Sequence, residues 1–151
     1  MKNTTLILDL DGVLITTPPW KADKIDPDGY SKFNDDCIKN LNELLEKVEI
    51  EIWLSSTRRT VKTLDEFNNI FKNRKIRKSI TGFVPVYENI KNRKEEVERF
   101  INERKLENYI ILDDDKSLNE LNFEMKKNLV LTELIKGFDQ EKLNEAIKLI
   151  A

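Results

Sequence analysis

Five short apolar runs, at residues 5–8, 50–54, 83–86, 109–112 and 129–131, alternate along the chain with segments whose apolar residues fall at helical spacing. That alternation implies a parallel sheet flanked by helices and closed by right-handed crossovers, so the expected fold is α/β and doubly wound, with a mainly parallel five-stranded sheet. Ile38, Leu41, Leu44, Leu45 and Val48 form one apolar stripe behind Asn34-Asp35-Asp36, which supplies an N-cap and an acidic first turn, and predict a helix over about 35–48. Further stripes occur at Val61, Leu64, Phe67 and Phe71, at Val97, Phe100 and Ile101, and at Leu143, Ala146, Ile147 and Ile150. At 151 residues the chain is the size of one ordinary domain, and 1–151 is expected to form a single unit. The one long irregular stretch is 15–33, rich in Thr, Pro, Asp and Gly.

Carboxylates crowd the ends of two of these runs. Thr5-Leu6-Ile7-Leu8 leads into Asp9 and Asp11 at a glycine turn, Gly12, and Tyr109-Ile110-Ile111-Leu112 ends in Asp113-Asp114-Asp115. Like charges packed at strand ends repel unless a cation or a shared proton compensates, which points to a divalent metal and phosphate chemistry. In open α/β sheets, ligands bind beyond the carboxyl ends of the strands, and Asp9, Ser55-Ser56 and Asp113 all emerge there.

Composition removes several competing chemistries. The chain has no histidine, which excludes serine–histidine and cysteine–histidine pairs, histidine phosphotransfer and imidazole-ligated zinc. Cys37 stands alone, so an internal disulfide and thiolate-rich metal sites are excluded, and with no basic neighbour it reads as an inert thiol. No apolar run approaches bilayer length and no leader pattern opens the chain; a soluble, cytoplasmic protein without membrane partners is expected. The net charge of −2 hides an uneven spread, because segments 1–57, 58–94 and 95–151 carry −5, +8 and −5. A basic middle suits an anionic partner, while the balanced total argues against nonspecific coating of DNA.

Leu8-Asp9-Leu10-Asp11-Gly12-Val13 resembles the first motif of the haloacid dehalogenase (HAD) superfamily of phosphatases, and later clusters follow in matching order over nearly the whole chain. The resemblance implies a Rossmann-like core and Mg²⁺-dependent hydrolysis in which Asp9 attacks phosphorus and Asp11 serves the leaving group and then water. Such a carboxylate becomes a competent nucleophile once metal neutralises the phosphate. Val13 departs from the pattern, since relatives often place Thr there. Ser55-Ser56-Thr57-Arg58-Arg59 is similar to the second motif, with Ser56 preferred to Ser55 as phosphate ligand and Arg58 able to grip phosphate bidentately. Among Lys91, Arg93 and Lys94, basic residues that oppose a helix dipole unless an anion is near, Lys94 is the third-motif candidate. Asp113 is similar to the metal-ligating acid. With Asp9 and the Asp11 carbonyl it would hold Mg²⁺, Asp114 would support the shell, and Asp115 reads as a helix cap.

Both inter-motif insertions are short, so no large cap domain is expected and the cleft is open to a large substrate. Lys72, Arg74, Lys75, Arg77 and Lys78, with Trp20, Tyr30 and Phe33 of the first loop, offer contacts to a phosphate backbone and bases, although these aromatics equally serve to pin the loop. The Ser-x-Arg and Arg-Lys features resemble polynucleotide phosphatase domains and HAD domains of bacterial RNA-repair proteins. The leading expectation is therefore a phosphomonoesterase acting on RNA or DNA ends or nucleotides. A general small-molecule phosphatase and a non-catalytic binding or regulatory module are the alternatives; the sequence leaves the oligomeric state open.

Overall fold

The computed structural model describes residues 3–150; Met1, Lys2 and Ala151 of the expected 1–151 unit lie outside the described residues. Elements follow in the order β1 (Thr4–Leu8), α1 (Asp35–Lys47), β2 (Ile50–Leu54), α2 (Leu64–Asn73), β3 (Ile80–Phe83), α3 (Arg93–Arg104), β4 (Tyr109–Asp113), α4 (Phe123–Lys126), β5 (Leu129–Leu131) and α5 (Gln140–Ile150). Two 3₁₀ turns, Thr57–Thr60 and Lys116–Glu120, follow β2 and β4. All five strands are parallel, in the order β3-β2-β1-β4-β5, which is the expected Rossmann-like sheet, with no large cap among the described residues.

Strand alternation sorts the core into two layers. Leu6, Leu8, Ile52, Leu54, Ile110 and Leu112 face one side, where Leu41 and Leu44 of α1, Phe67 and Phe71 of α2, and Leu143 and Ala146 of α5 cover them. Ile7, Tyr109 and Ile111 face the other side against Val97, Phe100 and Ile101 of α3. Helix α1 starts where the sequence places it: the Asn34 side chain accepts from the backbone N–H groups of Asp36 and Cys37. Cys37 is buried, and burial pushes its thiol up to about 11, consistent with an inert role. Among the described residues, no helix is long and apolar enough to cross a membrane.

One strand is displaced from its expected position. The apolar run at 83–86 does not form β3, which instead spans Ile80–Phe83, with a register shift opposite Ile52 and Trp53. Pro85 has no N–H to extend the ladder, and Val86 is exposed. Within the strand, Gly82 pairs with Trp53 and lies against its ring, where a Cβ would collide.

Candidate active site

Register assembles the centre. Leu8 pairs with Leu54 on one side and with Leu112 on the other, so the next residues, Asp9, Ser55 and Asp113, stand level on three neighbouring strands. The ladder continues through them: the Ser55 N–H donates to Leu8 O (2.8 Å) and the Asp9 N–H to Leu112 O (3.0 Å). Asp9 and Asp113 are buried, and together with Asp114 they present carboxylate oxygens within 4.8 Å of one another. Burial raises the carboxyls of Asp9 and Asp113 above the ordinary range, and the Asp113 charge adds to the rise at Asp9. Asp114 is pushed up to about 6, by burial first and the Asp113 charge second.

Among the described residues, a single guanidinium faces this cluster. Arg93 Nη1 donates to Asp113 Oδ2 (2.9 Å) and to Ser55 Oγ (3.2 Å), and lies 3.8 Å from Asp9 Oδ1. Three carboxylates against one cation leave two negative charges uncompensated when all are ionised, which is the donor set and charge a hard divalent ion takes. Glu96 braces Arg93 from behind, with Oε1 3.6 Å from its Nε while Oε2 pairs with Arg59 Nη2 at 3.1 Å. Arg59 is itself buried and donates to the carbonyls of Val84, Ser55, Ser56 and Pro85, which fixes the turn after β2.

Asp11 stands just outside the cluster on the turn made by Gly12, whose φ of +78° suits glycine. A Cβ at Gly12 would overlap the Asp114 carboxyl, so the same glycine permits the turn and the approach of the second acidic segment. Thr132 Oγ1 holds that turn from the β5 side by donating to Gly12 O (2.6 Å). The Asp11 carboxylate is gripped by Arg58, Nε to Oδ2 and Nη2 to Oδ1, both at 2.8 Å.

A family model described as the HAD domain in Swiss Army Knife RNA repair proteins matches residues 5–143. The chain belongs to this family. Neither a curated protein nor a solved structure matches it. Membership supports a HAD-type phosphatase, a hydrolase in general terms, and the acidic cluster of this HAD domain is compatible with the metal ion such domains usually employ.

Of the site residues expected from sequence, the fold gathers Asp9, Asp113 and Asp114 and leaves Asp11 adjacent. It does not bring Ser56 or Lys94 to them. The Ser56 hydroxyl accepts from the Arg58 N–H (3.2 Å) and caps the 3₁₀ turn, while Ser55, one residue closer to β2, faces the cluster. Lys94 Nζ pairs with Glu98 (3.7 Å) along α3. Arg93 is the first residue of α3 and Lys94 lies about 100° further round, so only one of the two can face the carboxylates. Asp115 caps the following 3₁₀ turn as expected, accepting from the Ser117 N–H at 2.9 Å.

Three of the five basic residues at 72–78 pair with acids away from the cluster, while Lys72 and Lys75 are exposed. Lys78 pairs with Glu49 (2.6 Å) just before β2 and Arg77 pairs with Glu46, so both lie at the edge of the sheet opposite the cluster. Arg74 is buried against Asp26 and Asp28. Tyr30 and Phe33 are buried too and pin the loop; Trp20 alone of the three is exposed.

Proposed function

We propose that this HAD domain is a Mg²⁺-dependent phosphomonoesterase that works through an aspartyl-phosphate on Asp9 and acts on nucleic-acid ends or nucleotides. The observation that carries the reading is the buried, register-matched pair Asp9 and Asp113 with Asp114 beside it. Asp9, Asp113 and Asp114 would hold the ion, with Asp11 at its margin; when bound, it neutralises phosphate charge and the mutual repulsion of its ligands. Asp9 attacks phosphorus through a carboxylate oxygen and the bond to the leaving oxygen breaks, that oxygen taking a proton from Asp11. Asp11 then accepts a proton from the water that attacks the phosphoryl group, which returns free phosphate and the Asp9 carboxylate. Ser55 and Arg93, which face the cluster, would hold phosphoryl oxygens in the roles expected of Ser56 and Lys94.

Two observations support a nucleic-acid or nucleotide ester. The family is described from RNA repair proteins, and no large cap covers the strand ends. The test is a phosphatase panel with Mg²⁺ comprising 3′- and 5′-phosphorylated oligonucleotides, mononucleotides, sugar phosphates and an aryl phosphate, run for the wild type and Asp9→Asn. Turnover of oligonucleotide ends or nucleotides in preference to sugar phosphates, lost in Asp9→Asn, is expected. Equal rates in the two proteins would remove Asp9 as nucleophile, and equal turnover of all esters would favour a general phosphatase.

A further inference from the structure

Arg58 has no donor left for a substrate. A guanidinium carries five N–H groups, and here each has a partner. Nε and one Nη2 hydrogen hold the Asp11 carboxylate, the other Nη2 hydrogen goes to Asp23 Oδ2 (3.0 Å), and the two on Nη1 go to Tyr30 Oη (3.3 Å) and Ser31 Oγ (3.2 Å). Ser31 Oγ in turn donates to Asp23 Oδ2 (2.7 Å), which closes a ring of polar contacts around the arginine. The Tyr30-Ser31 segment is held from the other side as well, because Arg74 donates to the carbonyls of both residues (3.2 and 3.0 Å). The loop after β1 is therefore fastened between two arginines. One of them also reaches the acid on the turn that precedes the loop.

We propose that Arg58 is a positioning residue for Asp11, not a phosphate ligand, and that Asp23, with Tyr30 and Ser31, is the platform that aims it. The inference rests on the proposed role of Asp11 in proton transfer. Asp11 is the most exposed of the acids in this network, with a side-chain accessibility of 45%, and a carboxyl on a turn of that exposure has no packing to fix its plane. A planar fork binding both oxygens does fix it, whereas an ammonium would bind as a single point. Asp23 lies twelve residues downstream and has no contact of its own with the carboxylate cluster; its influence passes through the guanidinium.

The test uses leaving-group dependence. A proton donor matters most for a poor leaving group, such as the alkoxide of an alkyl phosphate, and least for p-nitrophenolate. In Asp23→Ala and Arg58→Lys, the single-turnover rate of leaving-group release from an alkyl phosphate is expected to fall by about tenfold or more while that from p-nitrophenyl phosphate stays within about threefold, with KM little changed. A phosphate-binding Arg58 would instead raise KM for both esters alike, and a merely structural role would lower both rates in step with the folded fraction; either pattern overturns the proposal. A second measurement needs no turnover. Asp11→Asn and Asp23→Ala do not touch each other, so a double-mutant cycle in thermal stability reads the coupling through Arg58. Non-additive shifts that become additive in an Arg58→Met background are expected. Additive shifts in the wild-type background refute the coupling even if no phosphatase activity exists, whereas coupling without activity would refute only the proposed function.

Discussion

Replacing Arg74 with Met tests how the loop between β1 and α1 is held. The Arg74 side chain is 4% exposed and binds Asp28 through both terminal nitrogens (2.6 and 3.1 Å), Asp26 at 3.1 Å, and the carbonyls of Ile70, Tyr30 and Ser31. Its guanidinium also lies 4.8 Å from the centre of the Phe33 ring. Methionine matches the stem but leaves two carboxylates and three carbonyls without their donor. Breaking a buried ion pair by removing one partner costs about 3–5 kcal/mol. Asp26 and Asp28 retain side-chain exposures of 26% and 18% and can recruit water, and Arg74 Nε has no partner among the described residues, so the low end applies, about 3 kcal/mol. For a chain of this length that corresponds to a fall in Tm of about 10 °C. Urea unfolding followed by circular dichroism, with the slope checked for constancy, measures it directly. A loss below about 1 kcal/mol, the ordinary value of an exposed pair, would refute the view that this arginine is a buried anchor.

Asp28 supplies a pH test of the same anchor. Its hydrogen bonds with Arg74 hold the Asp28 carboxyl below the usual carboxylate range, so the stabilisation is complete above the unfolded value, about 4, and is lost as pH falls through the lower folded value; the Tm difference between wild type and Asp28→Asn is expected to shrink below about pH 4, and a constant difference down to pH 2 would contradict this. Gly12→Ala forces a side chain into a left-handed turn and against the Asp114 carboxyl, so at least about 1 kcal/mol of stability and much of any Mg²⁺-induced rise in Tm are expected to disappear, whereas an unchanged melting curve with and without Mg²⁺ would refute that packing. Asp113→Asn removes one of the crowded carboxylates, and it is expected to raise Tm by a few degrees without metal while abolishing the response to Mg²⁺; a lower Tm in metal-free buffer would show that Asp113 stabilises the apo protein through Arg93 more than it repels Asp9.

Where one physical rule decides a feature, the sequence discloses it. Buried strands need continuous apolar runs, so β1, β2, β4 and β5 stand within a residue of the runs that announce them, and α1 begins at the Asn34 cap. The strand ends carrying Asp9 and Asp113 were equally legible, because acids abutting apolar strands are costly without a purpose. The rest depended on facts that a linear pattern does not carry. Strand β3 lies at the edge and includes an exposed Thr81 and a glycine, while the apolar residues that follow belong to a loop, so hydrophobicity points three residues too far. Ser55 against Ser56 and Arg93 against Lys94 are choices of rotation between neighbours, and rotation is fixed only when strand register and helix phase are known. Arg59 and Glu96 gave no signal, since a buried brace between two segments looks in sequence like any charged surface residue. The pairing of Arg74, Arg77 and Lys78 is hidden for the same reason, because their partners Asp26, Asp28, Glu46 and Glu49 are distant along the chain.

The level alignment of Asp9, Ser55 and Asp113 across three parallel strands has a thermal consequence. Their separations are set by main-chain ladders in the middle of the sheet, the last part of such a molecule to come apart, whereas Asp11 depends on a loop stapled by side chains. Warming is therefore expected to slow release of poor leaving groups before it stops attack on an activated ester: a preparation held a few degrees below its melting point would still release p-nitrophenolate from p-nitrophenyl phosphate in a single turnover while releasing alkyl alcohols poorly.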